Sequence, residues 1–212
     1  MRTEDLIRAL AADSAPPIAP VDRHLLRGAV GGTTGALALF ALMLHPRADL
    51  IDALRSPAFV YKLIVTASLA VTAGSLLSEV ARPLPTSGRG RGWLLVAPIL
   101  LALGVVAELY IQPAALWPAR LIGHNAIHCV SLIPVLAAGP VLCLFIALRR
   151  GAPSCPATAG AVVGLAAGGI GAVLYALTCP DDSPLFVATW YTMAIAAVTA
   201  ATAYAGRRLL RW

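Results

Sequence analysis

The chain has little charge and none of the short motifs by which common enzymes are recognised. Charged residues make up 12% of its 212 residues, whereas hydrophobic residues make up 59% and the mean hydropathy is +0.81. GxSxG, HExxH, P-loop and CxxC motifs are all missing, so the sequence gives no reason to expect an enzyme, including a quinone-linked disulfide oxidoreductase. This composition is typical of a protein with several membrane-spanning helices.

The apolar part of the chain also lacks an ionisable residue at the centre of any stretch. Proton-coupled and ion-coupled transporters usually need such a group near the membrane midplane, and no internal repeat of the kind that builds many transporters is visible. Lys62, Glu79 and Glu108 lie near the ends of their stretches, and we expect each to extend its charged group toward water. Both observations argue against transport.

Six apolar stretches follow one another along the chain, each close to the roughly 20 residues that a helix needs to cross a bilayer. We therefore predict an all-α, polytopic membrane protein, with a six-helix transmembrane domain over residues 23–212 and a short tail over residues 1–22. The stretches are Leu25–Leu44, Phe59–Leu77, Trp93–Ile111, Cys129–Leu148, Ala157–Leu177 and Leu185–Ala205.

The basic residues are concentrated on one side of this predicted bundle, which sets its orientation. Positive residues favour the cytoplasmic side, so we expect both termini in the cytoplasm of a bacterium and the protein in its inner membrane. Arginine beside the membrane contacts anionic lipid heads, so the net charge of +6 does not indicate direct nucleic-acid binding. The N-terminal side holds Arg2, Arg8, Arg23, Arg27, Arg82, Arg89, Arg91, Arg149, Arg150, Arg207, Arg208 and Arg211, and the other side holds Arg47, Arg55, Lys62 and Arg120.

Residues 1–22 predict a short amphipathic helix followed by a proline-rich spacer. The acidic start does not fit a signal peptide, and three prolines by residue 20 end the helical pattern. A short apolar face on a stiff spacer is typical of a docking peptide, although a helix on the lipid surface or a disordered leader fits the pattern too. The apolar residues are Leu6, Ile7 and Leu10, and the polar ones are Glu4, Asp5 and Arg8.

Two of the four cysteines, Cys129 and Cys179, are predicted to share one membrane depth on the non-cytoplasmic side. That side is oxidising if the host has a periplasm, and neighbouring helices could bring the two thiols within disulfide range. Polar neighbours add candidate ligands for zinc, copper or cadmium, since thiolate, imidazole and carboxylate suit such metals. In the simpler alternative, the cysteines only pack against neighbouring helices and the polar residues belong to solvated loops and turns. The candidate metal ligands are His124, His128, Asp181 and Asp182.

Glycines recur at a spacing of four in the first and fifth stretches, which predicts close helix packing in lipid. The spacing does not decide whether the neighbouring helix belongs to the same chain or to a second copy, so a homodimer stays open. These glycines are Gly28, Gly31, Gly32, Gly35, Gly160, Gly164 and Gly168.

Several segments, taken in order, resemble the negative regulator of sigma F family. The segments are MRTEDLIRALAAD before the prolines, the long run HCVSLIPVLAAGPVLCLFIALRRGAPSCPATAGAVVGLAAGGIGAVLYALTCPDDSPLFVATWYTMAIA, and the closing GRRLLRW. The resemblance covers essentially the whole chain. No single motif within it is diagnostic, but the order of tail, spans, paired cysteines and PxFVxxWY is distinctive.

The resemblance implies a six-span anti-sigma factor that holds an extracytoplasmic-function sigma factor at the membrane and releases it under metal or oxidative stress. It implies that Cys129 and Cys179 are the sensing cysteines and that the tail, with Glu4, Asp5, Leu6, Ile7, Arg8 and Leu10, binds the sigma factor. No constitutive cofactor is expected, and a metal would act only as a regulatory ligand. A small metal or solute transporter and a membrane scaffold remain the alternatives.

Overall fold

The computed structural model describes residues 3–4, 21–82 and 92–210, and within these ranges the chain is helical, with no strand. We number the helices from the first that lies within residues 21–82. The last of them contains a π-helical segment at Val187–Tyr191. The helices are α1 Val21–Met43, α2 Leu50–Ala53, α3 Pro57–Val80, α4 Val96–Ile111, α5 Trp117–Ile122, α6 Ala126–Leu148, α7 Pro156–Ala176 and α8 Pro184–Leu209.

Five of these helices, α1, α3, α6, α7 and α8, are long and apolar enough to cross a membrane, so the described part of the chain agrees with the predicted all-helical membrane protein. Helix α4 has 16 residues, and at 1.5 Å per residue it is shorter than the roughly 30 Å hydrocarbon core. The predicted third stretch began at Trp93, but a turn at Leu94 and Leu95 delays the helix to Val96. Pro98 then lies in the first turn of the helix, where a backbone N–H group has no hydrogen-bond partner within the helix. The sixth span is therefore not confirmed.

Helix α7 is the centre of the bundle, because its glycines let three other helices approach closely. A Cβ added at Gly169 would lie 2.8 Å from the backbone nitrogen of Ala70 in α3, and one at Gly171 would lie 2.7 Å from the carbonyl oxygen of Ile133 in α6. At Gly160 it would overlap the carbonyl oxygen of Thr202 in α8. The predicted close packing of the fifth stretch is thus made within the chain.

The glycines of α1 divide between two faces. A Cβ at Gly32 would lie 2.6 Å from the Cα of Pro140 in α6, so this face packs inside the bundle. A Cβ at Gly31 or Gly35 would meet no atom within 4 Å. Among the described residues, nothing covers this second face.

The two ends of the bundle differ in their charged residues, as the sequence predicts. We call the end that carries Cys129 and Cys179 the cysteine end, and the opposite one, with Arg82 and Arg150, the arginine end. Of the residues predicted to bind a sigma factor, Glu4 is described, in a helical conformation. The others, Asp5, Leu6, Ile7, Arg8 and Leu10, lie outside the described residues.

Candidate functional site

Cys129 and Cys179 lie in one buried cluster at the cysteine end. Their residues are 0% and 1% exposed, and the cluster also contains Tyr175, Phe186 and Tyr191. The ring centroids of the two tyrosines are 5.8 Å apart. Both thiols are free, so the site holds two reduced sulfurs beneath a layer of aromatic side chains.

Cys179 belongs to the segment between α7 and α8, residues 177–183, which we call the cysteine loop. Lys62 of α3 reaches this loop from below: its Nζ donates to the carbonyl oxygens of Cys179, at 2.8 Å, and Asp181, at 3.3 Å. Only 2% of Lys62 is exposed. The expectation that Lys62 reaches water is therefore wrong, because the loop folds over its ammonium group.

The next loop residue, Asp182, joins Lys62 to a second cation. Its Oδ1 lies 2.5 Å from Nζ of Lys62, an ionic contact, while Nη1 of Arg47 donates to its Oδ2 at 2.9 Å. Arg47 also donates to both oxygens of Asp49, at 2.7 Å each. These hydrogen bonds raise the pKa of Arg47 and lower the pKa of Asp49. The loop is thereby tied to the connection that precedes α2.

Asp181 is held from the opposite side by the turn before α6. The amides of His124 and Asn125 donate to its Oδ2 at 3.1 and 2.9 Å, and the side-chain amide of Asn125 donates at 3.1 Å. Burial alone would raise the pKa of Asp181, but these hydrogen bonds lower it. Gly123 makes the turn, since its φ of +59° is a conformation that other residues rarely adopt.

Glu108 of α4 fixes the end of the cysteine loop and the start of α8. Its carboxylate accepts from the hydroxyl of Ser183 at 2.7 Å, the amide of Leu185 at 2.8 Å and Nε of Arg120 at 2.6 Å. The side chain is 4% exposed, so the expectation that Glu108 reaches water is also wrong. A carboxylate at a helix N-terminus satisfies free amides and is stabilised by the helix dipole.

The structure brings together only part of the predicted metal set. Nδ1 of His124 lies 3.6 Å from Oδ1 of Asp181, whereas Asp182 faces Lys62 and Arg47, and His128 is exposed. Over the described ranges, no three His, Cys, Asp or Glu side chains are grouped as metal ligands. A regulatory metal, whether copper, zinc or cadmium, stays a prediction.

The cysteines differ in their expected reactivity. Burial raises the pKa of the Cys179 thiol, although the nearby charge of Lys62 opposes this effect. Cys155, at the start of α7, is exposed, and a hydrogen bond from Thr158 lowers its pKa. Because the thiolate is the reactive form, the resting structure shields Cys179 and leaves Cys155 open to reagents.

Comparisons with known proteins identify the family. The family model described as "Negative regulator of sigma F" matches residues 10–212. The chain is 37% identical to "Anti-sigma-F factor NrsF" of Caulobacter vibrioides and 32% identical to "Probable anti-sigma-F factor NrsF" of Azospira oryzae, in both cases over the full length of the two chains. The chain belongs to the NrsF family. No solved structure matches it.

Membership in the NrsF family confirms the resemblance seen in the sequence and places the protein in a regulatory, non-enzymatic class with a sigma factor as partner. The sequence pattern placed Cys129 and Cys179 at one depth, and the structure gathers them in one cluster. The pattern missed the ionic contacts of Lys62, Glu108 and Arg47. One feature of the sequence could have predicted these contacts. Acidic and basic residues of three separate segments are predicted at the same membrane depth, where they can pair.

Proposed function

We propose that this protein is a six-span inner-membrane anti-sigma factor that sequesters an extracytoplasmic-function sigma factor of the sigma-F type. The observation that carries the proposal is the full-length match to two anti-sigma-F factors. Both termini lie in the cytoplasm, in agreement with the excess of arginine at the arginine end. Helix α4, Val96–Ile111, crosses the membrane as the sixth span in this proposal.

The tail is the docking element in this proposal. Leu6, Ile7 and Leu10 form the apolar face of a helix that enters a groove on the sigma factor, as amphipathic helices do in many complexes. Glu4, Asp5 and Arg8 set its register through charge pairs. Exposed arginines at the arginine end, such as Arg149 and Arg150, attract an acidic surface of the sigma factor.

Cys129 and Cys179 are the sensing residues, and the cysteine end faces the periplasm. Their position in one buried cluster supports this role, because a change at either sulfur must disturb the packing of α6, α7 and α8 together. The stimulus is a thiol-binding metal ion or an oxidant. Release requires that the stimulus favours the releasing conformation over the resting one.

The energy that such a switch needs is within the reach of thiol chemistry. Moving an equilibrium from 1:99 to 99:1 takes about 5.5 kcal/mol of differential affinity. Metal–thiolate sites in small zinc domains supply roughly 10–16 kcal/mol. Ligation of one metal ion by two thiolates is therefore sufficient.

The first experiment tests sigma binding. The full-length protein in detergent is incubated with the purified sigma-F factor of its host, alongside a Leu6→Asp, Leu10→Asp variant. We expect capture by the unaltered chain and at least partial loss with the variant, since two charges cannot enter an apolar groove. Failure of both to capture sigma factor would refute the anti-sigma proposal, and equal capture would refute the docking helix alone.

The second experiment tests sensing. A Cys129→Ser, Cys179→Ser variant should retain the sigma factor but no longer release it in cells exposed to cadmium or an oxidant. Cys155→Ser is the matched control, because this cysteine lies at the other end of the bundle and should leave the response unchanged. Normal release by the double variant would exclude the pair as the sensor.

A further inference from the structure

Lys62 is unusual in both sequence and place. It is the only lysine of the chain, since every other one of the 16 Lys and Arg residues is arginine. It is also the basic residue that lies deepest in the described part of the bundle, with 1% of its side chain exposed. A charge buried in a membrane protein is unfavourable and is usually kept for a function.

The ammonium group has three oxygen partners, all in the cysteine loop: it donates to two carbonyl oxygens and makes an ionic contact with one carboxylate. These are the carbonyl oxygens of Cys179 and Asp181 and the carboxylate of Asp182, at 2.8, 3.3 and 2.5 Å. A lysine has three donors on a compact head, whereas the planar fork of arginine suits two parallel bonds to one carboxylate. The geometry explains why lysine stands here in a chain that otherwise uses arginine.

Every acceptor of Lys62 depends on the position of the loop that carries Cys179. If the loop moves, the ammonium group loses contact with two carbonyl oxygens and a carboxylate at once. A buried charge that has lost its partners is strongly unfavourable, so Lys62 must move toward water. Helix α3, which carries Lys62, then loses these contacts with the cysteine loop.

We propose that Lys62 is a positioning residue that couples the state of Cys179 to helix α3, and so carries a change in the cysteine loop toward the arginine end. The inference rests on the proposed sensing role of Cys179. From Lys62, helix α3 continues to its last residue, Val80. Arg82, two residues later, pairs with Asp22 at the start of α1 at 2.7 Å. Asp22 is the last residue of the tail.

Coupling of this kind acts in both directions: if a change at Cys179 exposes Lys62, a change at Lys62 should also expose Cys179. The two directions can be measured separately on the purified full-length protein, without a sigma factor.

The first measurement follows the reactivity of Lys62 with an acetylating reagent, read by peptide mass spectrometry. The protein carries Cys143→Ser and Cys155→Ser, and Arg55→Lys supplies an exposed reference amine, since that side chain is 81% exposed. Methyl methanethiosulfonate then modifies the remaining thiols: the thiolate sulfur forms a disulfide bond with the methylthio group, methanesulfinate leaves and the thiol proton passes to buffer. We expect Lys62 acetylation to rise by about tenfold or more after this modification, and to stay low when Cys179→Ser is added.

The second measurement follows alkylation of Cys179 in a Lys62→Met variant, with exposed Cys155 of the same chain as the reference thiol. We expect alkylation of Cys179 to rise by about tenfold or more relative to Cys155, and Lys62→Arg to give a smaller rise because it keeps the charge. If Lys62→Met does not fold, the first measurement, which leaves Lys62 unaltered, still decides the matter.

Two results would overturn the proposal. One is Lys62 reacting as fast as the reference amine before any thiol is modified, which would mean that it is not held by the loop. The other is Lys62 staying protected although Cys179 is fully modified. Either result leaves sigma-factor capture unaffected, so failure of the coupling is distinguishable from failure of the anti-sigma function.

Discussion

Replacing Glu108 by glutamine should loosen the cysteine end without removing any volume. The carboxylate accepts from Ser183, Leu185 and Arg120 and is 4% exposed. Glutamine keeps one accepting oxygen but puts an NH2 group where a second acceptor is needed. At least one of the three donors therefore loses its partner, and the negative charge at the start of α8 is lost.

The cost can be worked out from these contacts. A hydrogen bond to a charged group contributes about 1.5–3 kcal/mol and a neutral one about 1 kcal/mol. The charge at a helix N-terminus adds roughly 0.3–1 kcal/mol. The guanidinium of Arg120 is 37% exposed, so water can solvate it and no penalty for a trapped charge is added. The expected loss of unfolding free energy is about 2–4 kcal/mol.

The assay is reversible unfolding of the purified protein in mixed micelles, with alkylation of Cys179 as a second readout. Glu79→Gln is the matched control, because Glu79 is half-buried near the arginine end and makes no side-chain hydrogen bond or ion pair within the described ranges. It should change stability by less than about 0.5 kcal/mol. If Glu108→Gln behaves like this control, the carboxylate does not hold the start of α8 and the reasoning fails.

Two further changes test other parts of the structure. Gly169→Ala should destabilise the bundle by about 1–3 kcal/mol, because the added Cβ meets the backbone of α3. Gly35→Ala, with no described atom nearby, should be neutral or stabilising by up to about 1 kcal/mol. Unfolding in micelles measures both, and a loss of stability with Gly35→Ala would instead indicate that a second copy of the chain packs on that face. Cys155 should be alkylated at a lower pH than Cys179, because the pKa of Cys155 is lowered and that of Cys179 is raised. Thr158→Ala should shift the pH profile of Cys155 alkylation to higher pH, because it removes the hydrogen bond to the sulfur. Identical profiles with and without Thr158 would show that this hydrogen bond is not the cause.

The helices could be predicted from the sequence because each depends on a local property. A run of about 20 apolar residues forms a helix in a membrane whatever its neighbours are, and the six predicted stretches all coincide with helices. The third is the exception in length, since Leu94 and Leu95 form a turn and the helix begins at Val96. Hydropathy counts these residues as apolar and does not detect the turn.

The position of the cysteines could also be predicted, because it follows from the number of crossings. Cys129 begins one predicted span and Cys179 follows the end of the next, so both must lie at the same end of the bundle. Their burial could not be predicted, because it depends on side chains that come from distant parts of the chain. Phe186 and Tyr191 cover the pair only because α8 folds back across α6 and α7.

The contacts of Lys62 and Glu108 could not be predicted for a related reason. Lys62 and Glu108 each lie near a span end, where a single charged side chain usually extends to water. That argument considers one helix at a time. In the folded chain the cysteine loop supplies oxygen atoms to Lys62, and α8 supplies amides to Glu108. Both residues then gain more from these partners than from water.

Three of the four basic residues at the cysteine end have a common role. Orientation is favoured by keeping Lys and Arg on the cytoplasmic side whether or not an acid is nearby, so each residue on the other side counts against the proposed topology. Yet each has an acid within 4.0 Å, namely Arg47 with Asp49 and Asp182, Arg55 with Asp52, Lys62 with Asp182, and Arg120 with Glu108. Three of the four hold the cysteine loop, directly or through Glu108. These three cations stabilise the cysteine loop, and the arginines at the arginine end favour the proposed orientation of the protein in the membrane.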